Sequence, residues 1–587
     1  GAAMITTEGR AAGTVPETMP AAEAILDVLR LNGVTTIFSS PGSEWPAIWD
    51  ALARPPRPGE RALRYLNARH ESLAVALASG YQKATGELPA VFLHSSVGPL
   101  QGAMALQMAD REHTPMVVFS GDSITWGEDP HLDPGSQWLR SLAERGGAAR
   151  VIGPVVKWAD TVPSQEALLG MVEHACRVAL APPQGPAFLS IPMERMMGTV
   201  PGRLLPRQPV PRPRLLPEPA VLDHAAELLA QARQPVIFTE EAGRDPANVA
   251  RLVALAELLG APVAEAQTMG YMNFPSDHPL HLGYSARPLL READVVLLLG
   301  ARGPWHPPSA GPAPEARVIL ADEDPEKLHY PLWPYRVDLY AAGALDATLE
   351  GLLARLREMR LDPDAVARRR THWAERHRAQ RAEWEAAAQA VRANRPIDPR
   401  WAAYALGAAL PADAIVVEES TTTRLFIQRH VRRARPGSYF ARVTAGLGVG
   451  LSLATGIKVA RPDAVVVAVL GDGAFNYNPV LAALGFQQEY AAPVLTIVLN
   501  NHSYASMKGG LEKFYPEGWA ARTGVYYGAA IAPPPDYAGL APLVGGYGER
   551  VEEPEAVEAA VRRGVEAVRA GRPAVLDLHI VADNRRE

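Results

Sequence analysis

Two apolar, β-branched runs near the C-terminal end set the pattern of the chain. Residues 465–470 (VVVAVL) run into Gly471-Asp472-Gly473, and residues 494–499 (VLTIVL) run into Asn500-Asn501. A helix-length stretch, 479–489, lies between them. Apolar run, polar turn, helix and second apolar run read as one βαβ unit, with polar groups gathered at the carboxyl ends of two parallel strands. The same alternation predicts strands at 35–39, 64–67, 90–95 and 116–120, and helices at 21–31, 45–52, 71–85 and 99–110. It resumes with strands at 235–239, 294–300 and 316–321, a helix at 245–259, and a strand at 414–417. Strands and helices of these lengths in strict alternation predict an α/β fold of doubly wound parallel sheets.

Breaks in the pattern divide the chain. The expected domains are 18–197, 221–354 and 398–583, joined by a Pro/Arg-rich linker at 198–220 and a strongly charged connecting helix at 355–397. No short-period repeat is visible. A chain of 587 residues is long enough for about three or four domains.

Composition narrows the function classes. Hydrophobic residues at 48% and charged residues at 21% are ordinary for a globular protein. A net charge of −6 gives no electrostatic case for nucleic acid. Cys176 is the only cysteine, so no intrachain disulfide and no cysteine-built metal site can form; a cytoplasmic location is expected. No apolar run reaches membrane-span length. The first three residues before Met4 read as a cloning remnant, and the segment to about Pro16 lacks a signal-peptide core.

The chemistry lies at the predicted strand ends. An Asp and an Asn side chain with a loop carbonyl suit a small hard cation that holds a diphosphate. Gly473 and Ala474 offer N–H groups near a helix start, a natural anion site. Hydroxyls at 420–423 (STTT) could cap the next helix or bind phosphate. Glu71 opens a helix of small apolar residues (LAVALASGYQ), where the helix dipole alone favours a carboxylate. Buried there, it would have a raised pKa. Leu447 stands between two glycines, where backbone can approach a ligand closely. Ser43, His94 and His306 follow predicted strands; a cap or a structural histidine is the plainer reading of each.

Gly-Asp-Gly is a common turn. Joined to Asn-Asn at this spacing, each after an apolar strand, it resembles the thiamine diphosphate (ThDP) motif of the pyruvate-oxidase and acetolactate-synthase superfamily. The resemblance extends over 21–581. It implies a pyrimidine-binding, a central and a diphosphate-binding domain, with active sites shared between subunits of a homodimer or homotetramer. ThDP and Mg2+ are the implied cofactors. Asp472, Asn501 and the Ser503 carbonyl would hold the metal. Gly471, Gly473, Ala474, Thr422 and Thr423 would surround the diphosphate, Leu447 would bend the cofactor, and the Ala445 carbonyl would accept from the aminopyrimidine. Glu71 would share a proton with the pyrimidine ring. Residues 418–423 (EESTTT), Ser43, His94 and His306 are similar to benzoylformate decarboxylase, with His306 displaced by about one residue. Gln137 and Lys157 are similar to the acetolactate-synthase branch, although no FAD signature is evident in the middle region.

The implied function is decarboxylation and/or carboligation of small 2-oxo acids, with an aldehyde as acceptor. Alternatives are acetolactate-synthase-type transfer, a 2-hydroxyacyl-CoA-type lyase, and a catalytically silent ThDP-binding subunit.

Overall fold

The computed structural model describes residues 16–125, 131–135, 146–328 and 335–581. Among the described residues, three parallel sheets with flanking helices carry the fold, beside a short antiparallel pair, Thr18–Pro20 with Thr199–Pro201. The N-terminal sheet runs Arg64–Asn67, Thr36–Ser40, Ala90–His94, Met116–Asp122, Pro186–Pro192, Trp158–Thr161. The central sheet runs Val263–Glu265, Pro235–Thr239, Val295–Leu299, Arg317–Asp322, Leu339–Ala342. The C-terminal sheet runs Tyr439–Ala441, Ile415–Glu419, Val466–Gly471, Leu495–Asn500, Ala574–His579, Tyr547–Val551. In each, the first strand in sequence lies between the second and the third. Winding therefore reverses beside the first strand, and a crevice opens there at the carboxyl ends.

The strands are continuous apolar runs because both faces are covered by helices. Leu495–Asn500 is buried along its whole length, and Val466–Gly471 along all but its last residue. Strand ends are set by local conformation. Ala90–His94 stops one residue before its expected end because Ser95 adopts a left-handed φ of 44°.

The two outer sheets share one core. Phe38, Leu73 and Val91 belong to the same buried cluster as Leu451, Val466 and Val498, whereas the central sheet has a core of its own around Phe238, Leu297 and Leu349. Helix Glu71–Thr85 meets helix Gly450–Ala460 through glycine. A methyl group at Gly80 would collide with the Leu453 carbonyl, and one at Gly456 with the Leu77 carbonyl. Gly456→Ala is accordingly expected to cost at least the roughly 1–3 kcal/mol typical of overpacking. A lowered urea midpoint would show this; an unchanged midpoint would contradict such close packing.

The charged connection differs from its expected form. It is not one helix over 355–397 but two, Leu345–Glu358 and Pro363–Ala390. Asp362 caps the second by accepting from the Asp364 and Ala365 N–H groups, and Pro363 occupies its first turn. Nor is it wholly solvated, since Trp373, His377 and Ala388 are buried.

Candidate active site

The crevice of the C-terminal sheet lies between Ile415–Glu419 and Val466–Gly471. The loops leaving these strands bring Thr422, Thr423, Gly471, Asp472, Gly473 and Ala474 together with Leu447, Asn501 and Ser503 around one cleft. Asp472 is buried, and burial pushes its carboxyl up to about 6 against the pull of nearby backbone N–H groups. The Ser503 N–H donates to Asp472 Oδ2 at 3.3 Å and to Asn501 Oδ1 at 3.0 Å. No Lys, Arg or His side chain pairs with Asp472 among the described residues. The Thr423 hydroxyl is buried without a hydrogen-bond partner. An uncompensated carboxylate, an amide oxygen and an orphaned hydroxyl around one cleft fit a diphosphate held by a divalent cation.

The two asparagines have different tasks. Asn500 is buried; its Nδ2 donates to Asp577 at 3.0 Å, and its Oδ1 accepts from the His502 N–H at 3.1 Å. Only Asn501 lines the cleft. His502 takes a left-handed φ of 55° between the two supposed ligands, and its Nε2 lies 3.0 Å from His579 Nδ1. Gly473 lets the Tyr504 ring lie against the turn, because a methyl carbon there would be 2.8 Å from it.

Leu447 is half-buried and lines the same cleft. Gly448 has a φ of 106° and packs against the Tyr477 backbone, which restricts the position to glycine, whereas a side chain at Gly446 would displace the end of the exposed Met104 side chain. Glu419 is fully buried beneath this loop and accepts from the N–H groups of Gly448, Val449 and Gly450 at 3.3, 3.0 and 3.0 Å. Burial pushes its carboxyl up, although Asn478 and these N–H groups pull the other way. Ala445 is exposed in the same loop, outside the cleft lining.

The crevice of the N-terminal sheet lies between Thr36–Ser40 and Ala90–His94. His94 sits at the end of its strand, with Nδ1 at 2.7 and 2.9 Å from the two oxygens of Glu44. Glu44 is buried and also accepts from the Ser95 N–H at 2.8 Å. Gly42 and Gly121 make room for the pair: a side chain at Gly42 would collide with the imidazole, and one at Gly121 with Glu44. The sequence pattern did not single out Glu44; its place just after the Pro41-Gly42-Ser43 turn was the available signal. Ser43 is exposed, and the cap position of the next helix, Pro46–Ala53, is taken by Trp45.

Glu71 is the first residue of its helix and is half-buried rather than enclosed. His70 caps that helix, accepting from the Ser72 N–H at 3.1 Å. Gly98 packs beside Glu71: a methyl carbon there would lie 3.6 Å from its Cγ, an ordinary contact. Within one chain Glu71, Ser43 and His94 do not line the Asp472 cleft. His306 is exposed on the central domain. Gln137 lies outside the described residues. Lys157 is engaged structurally. Its ammonium donates to the carbonyls of Val178 and Ala181 at 2.6 and 2.5 Å, at the end of helix Leu168–Leu180, and burial pushes it down to about 8.

Comparison with known proteins agrees with this layout. Residues 19–140 match the family model described as thiamine pyrophosphate enzyme, N-terminal TPP binding domain; 222–352 match its central domain, and 419–578 its C-terminal TPP binding domain. The chain belongs to the thiamine pyrophosphate enzyme family. It is 28% identical to benzoylformate decarboxylase of Pseudomonas aeruginosa over 501 residues, covering 83% of this chain and 86% of that one. It is 26% identical to the acetolactate synthase large subunit of Parasynechococcus marenigrum over 595 residues, covering 98% and 90%. The solved structure of a ThDP-dependent 4-hydroxybenzoylformate decarboxylase from Rhodococcus jostii superposes with a TM-score of 0.78 at 25% identity, covering 97% of this chain and all of that one. The protein is thus a ThDP-dependent enzyme of the lyase/ligase type.

Proposed function

We propose that this enzyme decarboxylates a small 2-oxo acid and either releases the aldehyde or joins the remaining acyl carbon to a second carbonyl compound. The observation that carries the reading is the Glu44–His94 pair, set at the crevice of the same sheet whose neighbouring strand leads to Glu71. Bound ThDP supplies an acidic thiazolium carbon and an electron sink. The protein's share is orientation and proton transfer. Asp472, Asn501 and the Ser503 carbonyl would hold Mg2+. Thr422, Thr423 and the N–H groups of Gly473 and Ala474 would hold the phosphate groups. Leu447 would prop the cofactor, the Ala445 carbonyl would accept from its amine, and Glu71 would hold a proton for its pyrimidine ring. Glu44 accepts from Nδ1–H of His94, which leaves Nε2 to hold or deliver a proton at the reacting carbon. Ser43 and His306 complete the substrate pocket.

This reading calls for a homodimer or homotetramer, which would bring Glu71 of one subunit to the Asp472 cleft of another. The helix after His94, Val97–Arg111, exposes Val97, Leu100 and Met104, and the C-terminal domain exposes Tyr477 and Leu481, as surfaces for such contacts. No helix among the described residues is long and apolar enough to cross a membrane. The buried Cys176 thiol is compatible with a cytoplasmic location.

A panel of aliphatic and aromatic 2-oxo acids, with and without an added aldehyde, tests the reading. His94→Ala is expected to lower aldehyde release more than carboligation on whichever acid is turned over, with ThDP affinity nearly unchanged. Equal loss of both products, or loss of ThDP, would make His94 structural and favour synthase-type transfer. Bound ThDP with no turnover of any acid would point to a silent subunit.

A further inference from the structure

The three crevices of this chain are built alike but filled differently. That of the N-terminal sheet carries Glu44 and His94, and that of the C-terminal sheet carries the diphosphate cleft. The central crevice, between Pro235–Thr239 and Val295–Leu299, holds an ion pair. Arg302 Nε donates to Glu240 Oε2 at 2.7 Å, and the backbone N–H groups of Arg302 and Gly303 donate to Oε1 at 3.2 and 3.3 Å. Two more pairs flank it, Arg244–Glu323 at 2.8 Å and Lys327–Asp322 at 2.5 Å. Charges therefore occupy the place where such a sheet would take a nucleotide.

The rest of the Arg302 fork leaves this crevice. Nη1 donates to the Val443 carbonyl at 3.3 Å, and Nη2 to the Thr268 carbonyl at 3.1 Å. The other side of Val443 is held as well. Its N–H donates to Glu112 Oε1 at 3.2 Å. Glu112 pairs with Lys83 at 2.8 Å, and the Lys83 ammonium donates to the Tyr271 hydroxyl at 2.8 Å. Burial alone would push that ammonium down, but Glu112 and Tyr271 outweigh it and hold it above the usual lysine range. Lys83 lies in the helix that Glu71 begins. Gly270 lies so close to Val443 that a methyl carbon there would be 2.7 Å from its Cγ1. Val443 stands four residues before Leu447, and Glu419 holds the amides of Gly448, Val449 and Gly450 on the far side. The loop that carries Ala445 and Leu447 is thus tied at both ends by buried carboxylates, Glu112 and Glu419, and at its start also by the half-buried Arg302. Desolvated groups of this kind are tolerated only when their hydrogen bonds are made, so they hold a backbone in one place.

We propose that Arg302, anchored by Glu240 in the central crevice, is a positioning residue that braces segment 443–448 and so fixes Leu447 against the cofactor. The central domain then serves as a buttress for the cofactor loop rather than as a nucleotide site. The inference rests on the cofactor reading above, but its first test does not need the cofactor.

Backbone amide hydrogen exchange in the cofactor-free protein is compared for wild type, Arg302→Ala and Arg302→Lys. Loss of charge-assisted hydrogen bonds predicts exchange about tenfold or more faster over 443–449 in Arg302→Ala. Amides of strand Val466–Gly471 should keep their wild-type rate. Arg302→Lys retains the ion pair without the planar fork and should fall between; it carries the test if the alanine variant does not fold. With ThDP and Mg2+ added, the affinity for ThDP should stay within about threefold, whereas exchange of the thiazolium C2 proton slows by about tenfold. Added guanidinium should restore part of that rate in Arg302→Ala. Wild-type amide exchange over 443–449 in both variants would overturn the proposal. So would a uniform rise across the protein, or a fall in ThDP affinity with C2 exchange intact at saturation. If wild type itself shows no ThDP-dependent C2 exchange, the cofactor reading fails, and the amide result still stands on its own.

Discussion

Asp472→Ala is expected to abolish Mg2+-dependent binding of ThDP. The carboxylate is buried at the crevice of the C-terminal sheet, has no cationic side chain beside it among the described residues, and is backed by the Ser503 N–H. Such a group is costly to keep ionised unless a cation completes it, and burial already holds it near 6. The other metal ligands assigned here are neutral oxygens, so this one carries the protein's negative charge toward the ion. Its loss should exceed the roughly 10–100-fold that follows from replacing a residue behind a metal ligand. Titration of ThDP by calorimetry or fluorescence, with and without Mg2+, measures it. Equal affinity for ThDP in variant and wild type would reduce the Gly471-Asp472-Gly473 turn to a turn.

Glu71→Gln should leave fold and cofactor affinity largely intact while slowing exchange of the thiazolium C2 proton by on the order of a hundredfold or more, as removal of a general acid–base group does. The structure separates this role from a helix-start role. His70 already supplies the cap at Ser72, so the helix does not depend on the Glu71 charge for its first turn. Gly98 and Gly102, on the facing helix Val97–Arg111, pack beside Glu71. A variant that exchanges the proton at the wild-type rate would assign Glu71 to the helix alone.

The parallel sheets were legible because their strands are buried on both faces and read as unbroken apolar runs, as at 465–470 and 494–499. The cleft assigned to the diphosphate was open to sequence reading for a related reason: Gly471, Asp472, Gly473, Ala474, Asn501 and Ser503 stand at the ends of those runs and line one cleft. Groups whose partners are distant in sequence were not. Glu44 meets His94 fifty residues on, and Arg302 meets Glu240 across 62 residues and Val443 across 141. Nothing in local spacing marks such pairs. Glu419 was visible only as part of the run EESTTT, because its partners are backbone N–H groups of a loop some thirty residues later. The break after Glu358 was carried by Asp362-Pro363, a helix-start signal masked by the charge run around it. Lys157 shows the opposite case: a position that resembles a functional lysine is occupied by a helix C-terminal contact.

Carbon dioxide release from 2-oxo acids, by protein stripped of ThDP and Mg2+ and then reloaded, bears most directly on the proposed activity. The expected result is release from at least one aliphatic or aromatic 2-oxo acid that requires ThDP, is supported by Mg2+, and is matched by aldehyde or a carboligation product. Reloaded protein with ThDP demonstrably bound, yet no carbon dioxide from any such acid, would contradict it.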